Sequence, residues 1–448
     1  MKNTLPNKEI VFVGLMIFSL FFGAGNLIFP PELGQKAGEN MGFALGGFLI
    51  SGVGLPLLGV LAIAYASGGS STEDLSKKVH PLFAVVLTAV TYLTVGPFFA
   101  APRTGVVSYE IAIVPFLTDG GNAFTLAIFT FIYFAIAYVL ALNPSKFVDR
   151  IGKMITPFLL SVLFILIAAV ISRPIDAPQT ATGSFAEYPF FKGITEGYLT
   201  MDTIVSIVFG MIIINAIQDR GVHDKKQIRR IIWKAGIIAV VCLSAVYVGL
   251  GYLGATSSSM SFTSGAAILS GISQQYFGVY GNVLLGIVIL LACIPTAVGL
   301  ISSCALYFNK LMPTVSYQAF ILFFSIFSGL VANVGLAQLI RLSVPVLNFI
   351  YPIVITLIAL TFLDKLFKGH SFVYRGAVLF TLIVSLNDGL VAMNEKWDFI
   401  APILNLPLAE IGFGWIVPAL VGGVAGWLLS FAKRAVAVFS KKPKLNDD

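Results

Sequence analysis

Charged residues are scarce in this chain. Its 448 residues include only 28 Lys and Arg and 21 Asp and Glu, or 11%, against about a quarter in ordinary soluble domains. With a mean hydropathy of +0.93, this scarcity excludes a soluble globular enzyme. The three cysteines have no paired spacing, so neither a disulfide framework nor a zinc site is indicated.

Catalytic and nucleotide-binding motifs are also missing. The chain has three histidines, and no H-E-x-x-H, G-x-S-x-G or P-loop pattern occurs. We therefore expect no enzyme and no resident cofactor. If the chain transports a solute, an ion gradient or exchange must drive the process instead of ATP.

Long apolar runs are what the sequence does contain. A membrane-crossing helix needs about 20 apolar residues, and windows of that length predict about twelve transmembrane helices in one all-α integral membrane domain over residues 1–448. The windows are approximately 9–33, 42–67, 80–106, 122–142, 150–172, 199–218, 231–254, 280–308, 316–334, 338–363, 372–393 and 412–432.

The positive charges predict the orientation of these helices. With the N-terminus in the cytoplasm, 22 of the 28 Lys and Arg residues fall on the cytoplasmic side and four on the other side. This asymmetry indicates a multi-pass protein of the cytoplasmic membrane with both termini cytoplasmic. Topology thus explains the net charge of +7 without a nucleic acid, and no obligate protein partner is evident.

The first apolar run is interrupted by FGAGNLIFPP, residues 22–31. Two glycines, an asparagine and two prolines cannot share a continuous helix without cost. A broken helix offers free N–H groups to an anion and free carbonyls to a cation. The alternative is a close glycine contact between helices followed by a proline kink.

A weaker signal of the same kind lies in the sixth run, where Gly210 follows Phe209. Taken alone, this glycine is as consistent with ordinary packing. The first and sixth runs are five spans apart, so they would cross the membrane in opposite directions, as inverted repeats require. On that reading, helices 1 and 6 are both broken, the second at Gly210.

The eighth run carries Gly299, Ser302 and Ser303, whose side-chain positions share one helix face. Hydroxyl and carbonyl oxygens are neutral, hard ligands suited to an alkali cation. The alternative is that each serine bonds a carbonyl of its own helix.

Three motifs together resemble one transporter family. The segment FFGAGNLIFPPELGQKAG, GPFFAAPRTG at 96–105 and FGMIIINAIQDRG at 209–221 are similar to the branched-chain amino acid transport system II carriers, of the branched-chain amino acid:cation symporter family. The resemblance implies a LeuT-type fold of two inverted five-helix repeats, about 9–172 and 199–363, with two accessory helices at about 372–432. It also implies a secondary symporter that imports leucine, isoleucine and valine with sodium across the lipid bilayer by alternating access.

The resemblance carries site residues with it. It implies that an unwound stretch binds the substrate carboxylate through its amides, and that a sodium ion bridges the first and eighth helices. The implied carboxylate-binding residues are Gly23, Ala24, Gly25 and Asn26. The implied sodium ligands are Ser19 and Phe22, through their carbonyls, with Gly299, Ser302 and Ser303.

An aliphatic substrate also needs an apolar pocket. The aromatic residues nearest the presumed breaks are Phe98, Phe99 and Phe209, with Phe209 next to Gly210. Phe98 and Phe99 are adjacent in sequence, so they point about 100° apart on a helix. We therefore expect one of them to pack as ordinary core.

Charged residues inside apolar runs are costly and therefore candidates for function. Arg103 and Glu110 share a helix face, where they form either a structural pair or a gate. In a LeuT-type fold, Asp202 and Arg341 would approach each other above the substrate, which predicts an outer gate.

Two other functions stay open. In a proton-coupled or exchange-type carrier a titrating side chain would replace sodium, and Lys153 is the lysine nearest the fifth-helix side of the site. The other alternative is an amino-acid sensor or a membrane-embedded enzyme on the same scaffold. The lack of a soluble signalling domain and of a catalytic constellation argues against it.

Overall fold

A computed structural model describes residues 5–66, 72–118, 120–143, 156–260, 262, 264–394 and 405–439. The described residues form helices and connecting turns and contain no β-strand. The predicted all-α class is therefore confirmed. Lys153 lies outside the described residues.

The helices follow one another along the chain with short connections. The first group is α1 (Asn7–Phe21), α2 (Ala24–Ala37), α3 (Met41–Leu49), α4 (Leu55–Ala66), α5 (Pro81–Leu93), α6 (Ala100–Ala112), α7 (Ala123–Ala141) and α8 (Thr156–Ser172). The second group is α9 (Ser184–Glu187), α10 (Pro189–Tyr198), α11 (Asp202–Gln218), α12 (Lys225–Ala255), α13 (Gly265–Leu311), α14 (Tyr317–Ala332), α15 (Leu336–Leu363), α16 (Ser371–Met393) and α17 (Ile416–Phe439).

Several of these helices have the length and composition of membrane spans. Within the described residues, seven helical stretches are long and apolar enough to cross a bilayer, or eight if α10 and α11 count as one bent span. Shorter apolar helices cover α8, α14 and the first part of α17. The chain is thus a multi-pass membrane protein, and the figure of twelve spans stays a prediction.

The outer helices present apolar side chains to their surroundings. On α7, for example, Phe124 is 72% exposed and Phe131 is 77% exposed. Such exposure would be unfavourable in water but is expected where a helix faces lipid. These helices surround an inner group that includes α1, α2, α6, α11, α12 and α13.

Glycine allows two of the inner helices to pack backbone to backbone. A side chain added at Gly34 of α2 would collide with the carbonyl of Gly251 on α12, and one added at Gly254 would collide with the carbonyl of Pro31. Small residues permit this close approach in membrane helices, where packing contributes much of the association energy. The contact fixes α2 against α12.

The backbone leaves helical geometry between α1 and α2. Phe22 is extended, with φ −76° and ψ 94°, and Gly23 is extended with φ −122° and ψ −166°. The non-helical residues lie at the start of the FGAGNLIFPP motif. Pro30 and Pro31, in contrast, lie within α2.

A second break separates α10 from α11, which meet at an angle of 47°. Met201, between them, has a left-handed backbone with φ +66°. The prediction of a break at Gly210 was therefore wrong, because Gly210 lies in the middle of α11. The absence of a side chain at Gly210 instead lets α11 pack against Ile63 of α4, with 3.3 Å from the ideal Cβ position to the nearest Ile63 atom.

Two of the longer connections contact each other outside the helices. The backbone N–H of Asp176 donates to the carbonyl of Thr256 at 2.9 Å. In return, Ser259 donates from its hydroxyl and its backbone N–H to the Asp176 carboxylate. These hydrogen bonds hold the pKa of Asp176 below its usual range.

Candidate functional site at two helix breaks

The two backbone breaks lie against each other. A Cβ atom placed on Gly25, in the first turn of α2, would be 3.3 Å from the Cα of Thr200 in the second break. The breaks enclose a cavity of about 30 Å³, which is enough for one or two water molecules. Further walls come from α6, through Ala100 and Arg103, and from α13, through Thr296 and Leu300.

Asn26 connects the two breaks. Its Oδ1 accepts a hydrogen bond from the Gly23 N–H at 3.1 Å, and its Nδ2 donates to Asp202 Oδ2 at 2.5 Å. The same Nδ2 contacts the Tyr247 hydroxyl of α12, which itself donates to Asp202 Oδ2 at 3.3 Å. All three side chains are buried, so they form one polar network inside an apolar surrounding.

This network restricts which amides can bind an anion. The Gly23 N–H is already bonded to Asn26. Ala24, Gly25 and Asn26 are the first three residues of α2, and N–H groups in a first helical turn have no acceptor within the helix. The anion-binding amides are therefore those of Ala24, Gly25 and Asn26.

Arg103 reaches the same point from α6. It is 2% exposed, and its Nη1 donates to the Leu199 carbonyl in the second break at 2.6 Å. The guanidinium also lies over the Phe29 ring, 5.1 Å from its centroid. Arg103 thus lies beside the start of α2 and does not face the membrane edge.

The predicted ion ligands lie on helices that touch each other. α1 contacts α13, and the Cβ position of Gly23 is 3.2 Å from Cγ2 of Thr296. Ser302 and Ser303 are buried, whereas Ser19 is half-buried. The Ser302 hydroxyl has no hydrogen-bond partner in the described part of the chain, which leaves its oxygen available to a cation. The ion site itself stays a prediction.

The structure separates the three candidate pocket aromatics. Phe209 is completely buried, lines the cavity and contacts Phe21 edge to face at 6.1 Å between centroids. Phe98 is 38% exposed and packs on Phe327, and neither it nor Phe99 lines the cavity. The reason is local, because residues 94–98 form a π-helical turn with Pro97 inside it, and Ala100 and Arg103 then face the cavity.

Neither predicted gate pair forms an ion pair among the described residues. Arg341 is exposed at the start of α15, whereas Asp202 is buried beside Asn26. Glu110 lies near the Ser264 hydroxyl, at 3.5 Å. It is seven residues from Arg103, or about 10 Å along the helix, which is too far for a direct contact.

Sequence reasoning missed Tyr247, Thr200 and Thr296 as members of the site. Tyr247 and Thr296 belong to apolar runs without a motif, and Thr200 belongs to the second break, which was predicted elsewhere. The available signal was weak: a polar side chain within an otherwise apolar run is a candidate for an internal contact.

Solved transporters share this architecture. The chain matches MhsT in complex with L-phenylalanine with a TM-score of 0.61 and 12% identity, over 95% of this chain and 100% of that one. It matches a nucleobase-cation-symport-1 family transporter with a TM-score of 0.58 and 14% identity, over 87% and 91%. At these identities the likeness shows the fold alone, which is that of the LeuT-type transporters.

Sequence comparison reaches relatives that are much more similar. The branched-chain amino acid permease BrnQ of Bacillus subtilis (strain 168) is 48% identical over 434 residues, covering 96% of this chain and 98% of the relative. The branched-chain amino acid transport system 2 carrier protein of Pseudomonas aeruginosa is 44% identical over 441 residues, covering 97% and 99%. The family model described as branched-chain amino acid transport protein matches residues 6–433. This chain therefore belongs to the branched-chain amino acid transport protein family, whose members are transporters and not enzymes.

Proposed function

We propose that this protein is a secondary active symporter that imports leucine, isoleucine and valine together with sodium. The observation that carries the proposal is the meeting of two non-helical breaks at one buried cavity that has polar groups on one side and Phe209 on the other. Membership of the family supports the substrate class.

The substrate is held at both of its ends. The carboxylate lies at the first turn of α2, where the amides of Ala24, Gly25 and Asn26 and the positive end of the helix dipole favour an anion. The aliphatic side chain lies against Phe21, Phe209 and Leu300, which line the same cavity. An apolar pocket discriminates only weakly between substrates that differ by one methylene.

Transport requires the site to open. A cavity of about 30 Å³ is far below the 300–1,000 Å³ typical of ligand pockets, so the conformation described is closed around the site. The two breaks allow the half-helices to move relative to their continuations. The proposed mechanism is alternating access, in which the site opens first to one side of the membrane and then to the other.

Sodium is the proposed coupling ion and is carried as a co-substrate. The carbonyls of Ser19 and Phe22, the carbonyl of Gly299 and the hydroxyls of Ser302 and Ser303 would bind it between α1 and α13. The unpaired, buried Ser302 hydroxyl supports this assignment. Five neutral oxygens suit a hard monovalent cation.

The proposed arrangement in the membrane follows the positive charges and the fold. Twelve spans would comprise two inverted repeats, about 9–172 and 199–363, and two accessory helices at about 372–432. Both termini would lie in the cytoplasm and the protein in the cytoplasmic membrane.

Leucine uptake into proteoliposomes tests the proposal. We expect accumulation of radiolabelled leucine when a sodium gradient is imposed, and no change when a protonophore is added. Uptake that persists without sodium but collapses with the protonophore would contradict sodium coupling and favour the proton-coupled alternative. Efficient displacement of leucine by aspartate or lysine would contradict the apolar pocket, because their charges would be buried without partners.

A further inference from the structure

Two buried charges of opposite sign line the cavity. Arg103 is 2% exposed and Asp202 is 3% exposed. No ion pair within 4.0 Å joins either residue to the other or to any further residue that the structure describes. A buried ion without a partner of opposite charge is strongly unfavourable, so both charges call for a ligand.

The surroundings of Arg103 favour an anion. Its Nη1 bonds the neutral Leu199 carbonyl at 2.6 Å, its Nη2 contacts the Ser343 hydroxyl at 3.4 Å, and its Nε has no hydrogen-bond partner. The Cβ position of Gly25 is 3.3 Å from Nη1, so the guanidinium lies beside the amides that begin α2. Both the guanidinium and these amides present positive charge to the same small space.

The surroundings of Asp202 favour a cation. Its Oδ2 accepts hydrogen bonds from the Asn26 amide and the Tyr247 hydroxyl, which are both neutral donors. It is the first residue of α11, at the second break. Asn26 lies between the two charges in the sequence of contacts, because it is next to Gly25 in the chain and bonds Asp202.

We propose that Arg103 binds the carboxylate of the amino-acid substrate and that Asp202 binds its α-ammonium group. This inference rests on the proposed function and extends it, because it assigns side-chain charges to a task otherwise given to backbone amides alone. A zwitterion pairs both charges at once, whereas an analogue that lacks one head group leaves the other protein charge buried and unpaired. The pair therefore determines specificity for free amino acids.

Two leucine analogues isolate the two contacts. Leucinol lacks the carboxylate, and 4-methylpentanoate lacks the ammonium group. Dissociation constants for leucine and both analogues would be measured by calorimetry on the full-length protein in detergent. In the unmodified protein we expect each analogue to bind at least about a hundredfold more weakly than leucine, because a site built for a polar group rejects a ligand that lacks it.

The variants should abolish these preferences one at a time. In Arg103→Gln, leucine affinity should fall about tenfold to a hundredfold, while leucinol affinity changes little, so that the ratio of the two approaches one. In Asp202→Asn, the ratio of leucine to 4-methylpentanoate should collapse in the same way. Arg103→Lys retains the charge and should give an intermediate ratio.

Arg375→Gln is the matched control. Arg375 also bonds a backbone carbonyl, at 2.8 Å to Val79, and lies over the Phe372 ring, but it is exposed and outside the cavity. Both ratios should keep their unmodified values in this variant. Size-exclusion profiles and melting temperatures identify any variant that fails to fold, in which case Arg103→Lys carries the test.

The outcomes separate this inference from the proposed function. If the unmodified protein binds leucine and folded Arg103→Gln keeps its leucine-to-leucinol ratio, the carboxylate assignment is overturned while the proposed function stands. If Asp202→Asn raises the sodium requirement and leaves its own ratio unchanged, Asp202 contacts the ion and the ammonium assignment is overturned. If the unmodified protein does not bind leucine at all, the proposed function itself fails.

Discussion

Among single residues, Tyr247 shows how a polar network inside an apolar bundle is stabilised. Its hydroxyl contacts both Asn26 and Asp202, and it is fully buried. We expect Tyr247→Phe to lower the free energy of unfolding by about 0.5–2 kcal/mol, since that is the range measured for hydrogen bonds between membrane helices and for buried bonds in general. Denaturant unfolding in detergent measures the change.

Tyr198→Phe is the control for this prediction. Tyr198 is equally buried and stacks on Tyr351, but its hydroxyl has no hydrogen-bond partner in the described residues. Removing that hydroxyl should cost nothing measurable. A loss of stability in Tyr198→Phe that equals the loss in Tyr247→Phe would show that the network contributes nothing specific.

Phe209 is the residue on which substrate selectivity should depend. Because its ring lines the cavity opposite the polar groups, Phe209→Ala should weaken leucine binding by about 1–3 kcal/mol and admit bulkier apolar amino acids such as phenylalanine. Competition binding with a series of amino acids measures both effects. Phe98→Ala, outside the cavity, should leave leucine affinity unchanged, and an equal effect of the two variants would refute the assignment of Phe209.

Sequence patterns predicted some of the site residues and not others, for a physical reason. Gly23, Gly25 and Asn26 carry a local signal, because their backbone preferences conflict with a continuous helix. Tyr247 carries none, since its role depends on which helix α12 packs against. Arg103 was recognised as unusual, yet its partner could not be predicted, because the partner is a carbonyl in the second break.

Helices extend the same contrast between local and distant causes. The interruption in the first span coincides with a Gly-x-Gly motif, so it could be anticipated from the sequence near Phe22 and Gly23. The second break occurs at 199–201 instead of at Gly210, and Met201 adopts a left-handed backbone that its own side chain does not favour. Tertiary contacts therefore impose that break, and no local pattern announces it.

The contact between α2 and α12 leads to a prediction about helix packing. A leucine at Gly254 would collide with the backbone of Pro31, so Gly254→Leu should push the two helices apart and destabilise the protein by about 1–3 kcal/mol or more. Gly42→Leu on α3, where nothing lies within 4 Å of the Cβ position, is the control and should have little effect. Melting temperatures in detergent compare the two; equal values would contradict the close packing.

The contact between α1 and α13 leads to a prediction about the ion. Replacing both Ser302 and Ser303 with alanine removes two oxygens from the proposed sodium site. Leucine uptake by the double variant should need a higher sodium concentration, with selectivity among amino acids unchanged. Ser325 and Ser328 on α14 are also buried hydroxyls without partners in the described residues, so their double alanine variant is the control. Wild-type sodium dependence in Ser302→Ala/Ser303→Ala would locate the ion elsewhere.

For the whole molecule, composition predicted more than position did. Low charge and high hydropathy predict a membrane protein, and three motifs predict its family, as the family match over residues 6–433 confirms. The size of the cavity could not be predicted, because it depends on the conformation. A cavity of about 30 Å³ implies that leucine enters only after the bundle rearranges.

The central claim is that the break between α1 and α2 binds the amino acid. Gly25 is the position where this claim is most exposed, since its Cβ position is 3.3 Å from Arg103, Phe29 and Thr200. Valine there would fill the space that the carboxylate needs. The most direct test is the leucine dissociation constant of purified Gly25→Val, compared with the unmodified protein and with Gly42→Val, after size-exclusion chromatography shows that each is folded. We predict that Gly25→Val loses leucine binding by at least about a hundredfold while Gly42→Val keeps it; unchanged leucine affinity in folded Gly25→Val would contradict the account.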